Sequence, residues 1–163
     1  MQDYILRRGD IENLQGEEKT HFLNPNAVRL NKSLGDATGL TGLGVHLIDV
    51  APGHETTEYH VHHYEDECVY ILEGNATVVI GEQEYSVSAG DFIGYRAGGL
   101  PHTMINSGAG MLRCLVAGQR LAHDVSDYPK LNRRLYRNKG APMNLANIVD
   151  LIDPATGKPP QSL

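Results

Sequence analysis

From Val45 onward the chain alternates short apolar runs with turn signals. The runs Val45 to Val50, Glu67 to Leu72, Ala76 to Ile80, Glu84 to Val87, Phe92 to Tyr95, His102 to Asn106 and Met111 to Ala117 are each too short for a helix of ordinary length. Between them stand Gly74 with Asn75, Gly81 with Glu82, Gly90 with Asp91, Gly98 with Gly99, and Gly108 with Gly110. These residue types tolerate positive φ or nucleate tight turns. Strands recurring at roughly 8–12-residue intervals with such breaks, and no helical crossover between them, predict an all-β antiparallel sandwich or barrel. Val45 to Val50 is apolar on both faces apart from His46 and Asp49, which predicts a strand covered on both sides.

The flanks read differently. Residues 1–42 are polar and irregular, with apolar pulses only at Tyr4 to Leu6 and Ala27 to Leu30, where Val28 and Leu30 share a face. They predict an N-terminal arm with short edge strands. Beyond Gly118 the pattern weakens, and Tyr128 to Asn138 suits either a last strand or a short helix opening at Pro129. The organisation that follows is an arm over 1–42, a barrel over 43–118 and a C-terminal extension over 119–163. Asp153 to Leu163, with Pro154, Gly157, Pro159 and Pro160, is expected to be a mobile tail.

Composition changes the picture in three places. A chain of 163 residues can bury a core without a metal or disulfide as its only support. The net charge of −6 argues against a nucleic-acid partner, whose phosphates would call for a basic surface. No run approaches the roughly 18 apolar residues needed to span a bilayer, and Arg7 and Arg8 have no apolar run behind them, so a cytoplasmic protein is expected. Cys68 and Cys114 lie in apolar runs and are expected to be buried free thiols. Lys130, Arg133, Arg134, Arg137 and Lys139 form a basic cluster, expected to be solvated or to face another subunit.

The chemistry concentrates between Glu58 and Gly74. His60 and His62 are one residue apart, so on extended backbone both imidazoles leave the same face. Glu67 has the wrong parity to join them on a continuous strand, so a bend is required within His63 to Asp66. A bend of unspecified length leaves Glu65 as a rival to Glu67. Two imidazoles and a carboxylate suit zinc, iron, manganese, nickel or copper, and not calcium or magnesium, which prefer all-oxygen shells.

Two spaced patterns in this series resemble the motifs of the cupin superfamily. The first runs Gly53, His60, His62, Glu67, Gly74, with one extra residue after its leading glycine. The second runs Gly90, Gly98 or Gly99, His102, Asn106, with Arg96 or Ala97 where the motif usually has proline and a loop one residue longer before His102. Ser33 to Leu40 and Asp127 to Pro129 are similar to small bacterial single-domain members. The resemblance implies a double-stranded β-helix, a jelly-roll-like barrel that is usually dimeric, with His60, His62, Glu67 and His102 converging on a divalent metal. His102 would then complete the ligand set from a distant strand, as barrels allow.

Four ligands on an octahedral ion leave two positions open for water or substrate, whereas on tetrahedral zinc they close the shell. The leading expectation is a metal-dependent enzyme acting on a small molecule, of dioxygenase, isomerase, decarboxylase or lyase type, working as a homodimer. The alternative is a non-catalytic small-molecule binding or sensor protein with a structural metal. A metal-free epimerase on the same barrel would not need the ligand set. His46 is expected to be a hydrogen-bonded core histidine, and His63 to point away from the metal. His21, His54 and His123 are expected at the surface. Tyr59, Tyr64 and Tyr95 suit either packing or a pocket wall, and Arg96 is a candidate partner for a substrate carboxylate.

Overall fold

All strand pairings in the computed structural model, which describes residues 4–159, are antiparallel. In chain order the elements are α1 (Arg8–Asn13), β1 (Glu17–His21), β2 (Asn24–Ser33), α2 (Leu34–Thr38), β3 (Leu43–Val50), β4 (Val61–His62), β5 (Glu67–Glu73) and β6 (Asn75–Ile80). They continue as β7 (Gln83–Ser88), β8 (Phe92–Tyr95), β9 (His102–Ile105), β10 (Leu112–Gln119), β11 (His123–Tyr128), β12 (Arg133–Asn138) and β13 (Asn144–Asn147). No described helix is long and apolar enough to cross a membrane.

The strands form two layers. One is a six-stranded sheet in the order β1-β2-β3-β10-β5-β8. The other is built from the ribbons β7-β6-β9 and β13-β12-β11-β4. An isolated bridge between His60 and His102 joins these ribbons through reciprocal backbone bonds of 3.0 and 2.8 Å. The architecture is the expected all-β jelly-roll barrel, and the bridge that closes its second layer lies at two of the expected metal ligands.

Between the layers pack Ile48, Val50, Val69, Ile71, Val78, Ile93, Met104 and Leu112. Each large apolar side chain fully removed from water contributes about 1.5–3 kcal/mol. Cys68 and Cys114 are both free, and Cys114 is fully buried. Gly74 turns β5 into β6 at φ +91°, and a Cβ there would stand 2.7 Å from the Met111 carbonyl oxygen, so both conformation and space demand glycine. Asn106 is buried and pins the turn after β9, donating to the carbonyls of Val50 and Gly110 and accepting from the Gly108 N–H. The motif asparagine therefore serves the scaffold.

Two flank readings change. On β2 the apolar Val28 and Leu30 face outward, while Ala27, Arg29 and Asn31 face the barrel interior. The arm is thus a pair of full strands extending the main sheet. On β3 only the face carrying Ile48 and Val50 is well buried; Val45 and Leu47 lie on the half-exposed outer face. Tyr128 to Asn138 divides into a 3-10 turn at Pro129–Leu131 and then β12, so both readings of that stretch are realised in sequence. Asp153 to Lys158 closes a hydrogen-bonded turn, and residues 160–163 of the expected tail, like residues 1–3 of the arm, lie outside the described residues.

Candidate metal centre

The bridge to β9 places His60 beside His102, and the next residue but one, His62, sits on β4 opposite Ser126 of β11. The chain bends at His63 and Tyr64 before β5 begins at Glu67. Each of the three rings has its Nδ1 turned to an oxygen: His60 to the Glu58 carbonyl at 2.8 Å, His62 to Asp124 Oδ2 at 2.6 Å, and His102 to the Leu100 carbonyl at 3.4 Å. The hydrogen-bond network thus assigns the proton to Nδ1 and leaves the lone pair on Nε2.

Two of those lone pairs meet directly. Nε2 of His60 lies 3.1 Å from Nε2 of His62, and the buried Nε2 of His102 has no hydrogen-bond partner. The His102 ring is held in place by Tyr95, stacked at 3.5 Å with an interplanar angle of 4°. Two imidazole lone pairs at 3.1 Å repel unless a proton or a cation lies between them. Two nitrogens each about 2.0–2.1 Å from one zinc-like ion stand roughly 3.0–3.4 Å apart. The spacing and the orphaned His102 nitrogen therefore fit a cation.

Proton affinities agree with that fit at two of the three rings. Burial, reinforced by the neighbouring imidazoles, holds His60 well below the usual histidine range, and burial brings His102 down to about 4. Burial also opposes charge on His62, but the Asp124 hydrogen bond and the nearby carboxylates outweigh it and raise its pKa. His60 and His102 thus stay unprotonated at neutral pH.

The two rival carboxylates separate cleanly. Glu65 is buried, accepts from the Leu121 N–H at 2.6 Å and pairs with Arg137. Glu67 lines the same cavity as the rings, and among the described residues no hydrogen bond stabilises its charge; burial raises its pKa against the pull of His62 and Arg29. A second acidic grouping lies alongside: ligand atoms of His62, Glu65 and Asp124 all fall within 4.8 Å of one another. Among the described residues no three of His60, His62, Glu67 and His102 are drawn that close. The tighter group has its oxygens occupied, however. Asp124 accepts from His62 Nδ1, the Tyr64 N–H and Ser126 Oγ. A carboxylate holding the far nitrogen of an imidazole is how metal-binding histidines are usually oriented.

The centre opens into a cavity of about 370 Å³. Its walls include residues the sequence reading placed elsewhere. His21, expected at the surface, is half-buried on the wall, 5.5 Å from the Tyr128 ring, and its pKa is lowered to about 4 by burial and by Arg29. Lys19 and Arg29 join it from β1 and β2, and Arg137 from β12. The basic cluster is accordingly not all solvated, since Arg134 clasps Asp127 at 2.6 and 2.8 Å and Arg137 pairs with Glu65. His46 also lines the cavity, and its buried Nδ1 lacks the hydrogen bond expected of it. His63 does point away, to Asp127 Oδ2 at 3.0 Å. Of the ambiguous aromatics, Tyr95 lines the cavity, Tyr59 packs and donates to the Gly81 carbonyl, and Tyr64 is exposed. Arg96 is exposed and does not line this cavity.

Asp124, Ser126 and Tyr128, all missed by the sequence reading, sit at alternate positions of β11 and are buried. Three polar or aromatic residues at period two were the available signal, hidden because polar inward faces look like outward ones.

A double-stranded barrel with three inward imidazole nitrogens and a free carboxylate defines a class. The Cupin domain family model matches residues 46–118. A crystal structure from Acidithiobacillus ferrooxidans, of a protein provisionally named a sugar phosphate isomerase, is 49% identical over 91% of this chain and 94% of that one, with a TM-score of 0.88. A sugar phosphate isomerase from a cupin superfamily, from Silicibacter pomeroyi, is 26% identical over 88% of this chain and 92% of that one, with a TM-score of 0.76. A Thermotoga maritima structure described as an oxalate decarboxylase by prediction shares the fold at 19% identity and a TM-score of 0.56. No curated protein matches the chain. The chain belongs to the cupin superfamily.

Proposed function

We propose that the protein is a metal-dependent isomerase of a phosphorylated sugar, with His60, His62, Glu67 and His102 holding a divalent transition metal. The observation that carries the proposal is the set of three imidazoles whose Nδ1 atoms are all engaged and whose Nε2 lone pairs face a cavity. The likeness to two proteins named as sugar phosphate isomerases supports the substrate class. A bound ion would act there as a Lewis acid on substrate oxygens.

The chain's own contributions are positional. Asp124 and the Glu58 carbonyl fix the His62 and His60 rings, and Tyr95 fixes His102. The depth of the cavity limits water around the reacting carbons, and Tyr128, stacked toward His60 at 6.0 Å, narrows it. Two copies would pair through the outer face of the main sheet, where Leu47, Leu115, Tyr70 and Phe92 stand in one cross-strand row and the last two are exposed in the single chain. Light scattering giving a dimer mass supports that pairing, and a monomer mass at micromolar concentration removes it.

The test of function is elemental analysis of the purified protein followed by proton NMR of phosphorylated aldoses and ketoses in deuterated water. About one transition metal per chain, with metal-dependent deuterium incorporation beside the carbonyl, is expected. Stoichiometric zinc with ligand binding but no exchange in any sugar would instead favour a binding or sensor protein.

A further inference from the structure

The β1–β2 pair carries a feature that the metal centre does not use. Lys19 and Arg29 are directly opposed across these strands, and both project to the cavity side. Like charges directly opposed on a sheet destabilise it. Neither cation is neutralised by a buried carboxylate. Among the described residues Lys19 meets only Glu17, at 3.2 Å on the exposed rim, and an exposed pair of that kind contributes little. Arg29 donates to the Thr56 carbonyl and has no carboxylate within ion-pair distance among the described residues. Burial accordingly lowers its proton affinity, and Glu67 only partly offsets this.

His46 lines the same cavity from β3 further along, opposite Ser33, and its buried Nδ1 has no partner among the described residues. Burial and then Arg120 disfavour its protonation, Asp36 opposes them, Lys19 and Arg29 add lesser repulsion, and Arg120 and Asp36 are already paired with each other. Within the cavity the other cation, Arg137, is taken by Glu65, and Glu67 is the carboxylate that acts on Arg29. An acceptor-rich anion answers the two opposed cations, and a phosphate monoester does so with the charge and the number of oxygens they call for.

We infer that Lys19 and Arg29 form the subsite for the phosphate group of the substrate. The inference rests on the reading of the cavity as a sugar-phosphate site, and it assigns to the N-terminal strands the selection of phosphorylated over neutral sugars.

The probe is inorganic phosphate, titrated calorimetrically at constant ionic strength into the metal-containing full chain, with metal per chain measured on the same samples. Lys19→Gln and Arg29→Gln should each weaken phosphate binding about tenfold or more while retaining metal, as loss of one charge-assisted contact implies. Lys130→Gln, which alters a lysine over the Tyr59 ring outside the cavity, should leave it unchanged. Lys19 is partly exposed, so its variant keeps the test decisive if Arg29→Gln fails to fold. Phosphate affinity equal to wild type in Lys19→Gln, with metal retained, overturns the subsite. The two readings fail separately: phosphate binding that depends on Lys19 without turnover of any sugar phosphate leaves the subsite standing and removes the isomerase, whereas turnover with Lys19-independent phosphate binding does the reverse.

Discussion

Two polar clusters lie side by side in this barrel and differ in one respect. Around Glu65, Asp124 and Asp127 every carboxylate is met: by Arg137 and the Leu121 N–H, by His62 and the Tyr64 N–H, and by Arg134 and His63. Around His60, His62, His102 and Glu67, lone pairs face one another or face the cavity. Proximity alone favours the first cluster as a cation site, since its ligand atoms are the more tightly grouped. Satisfaction favours the second. A buried acceptor without a donor costs about 1–3 kcal/mol, so a fold retains several together only where something else repays the loss.

The largest expected effect comes from breaking the unsatisfied cluster. His60→Ala or His102→Ala should lower metal affinity by more than the roughly 10–100-fold that loss of an outer partner costs, while circular dichroism and thermal unfolding report an intact barrel. Unfolding of both variants would make the metal structural instead. Next, the two carboxylates should respond in opposite ways. Glu67→Gln weakens the metal and leaves the metal-free fold as stable as before or slightly more so, since a half-buried carboxylate with a raised pKa is removed. Glu65→Gln leaves the metal in place and costs about 1–3 kcal/mol in urea unfolding, because Arg137 and the Leu121 N–H lose a charged partner. Metal loss in Glu65→Gln with none in Glu67→Gln would exchange their roles.

Between the clusters stands Asp124, which belongs to the satisfied group yet orients a ring of the other. Asp124→Asn keeps an acceptor for His62 Nδ1 but removes the charge, and should weaken metal binding about tenfold, read by competition with a chelating dye. An unchanged affinity would make Asp124 purely structural.

The smallest effect is the pH response of the satisfied cluster. Burial raises the Asp127 carboxyl, but Arg134 and His63 outweigh it and hold it at about 2, against 3.8 for a free aspartate. The unfolded state therefore binds the proton first, so this contribution is complete above pH 3.8 and is lost as the pH falls through 2. Arg134→Met should move the acid-unfolding midpoint of the metal-free protein upward in pH, and an unmoved midpoint would mean that the pair contributes nothing.

What the sequence disclosed follows the same division. His60 and His62 were legible because period two forces their rings to one face, and Gly74 because a turn there needs positive φ. The bend that brings Glu67 round was required by parity, although parity could not choose between Glu65 and Glu67. That choice depends on Arg137 and the Leu121 N–H, contributed from more than fifty residues away in the chain. The arm around Val28 and Leu30 misled for a physical reason. On β2 the apolar Val28 and Leu30 face outward and the charged residue faces in, which inverts the rule that a half-buried strand hides its apolar side. Such an inversion is expected where a strand lines a polar cavity, and β11 repeats it with Asp124 and Ser126.

The most direct test of the central claim is an anomalous diffraction map from crystals of the metal-loaded protein. A single peak at roughly 2.0–2.3 Å from Nε2 of His60, His62 and His102 and from a Glu67 oxygen is the predicted result. A peak seated between Glu65 and Asp124, with the His60 and His102 nitrogens left unligated, would contradict it.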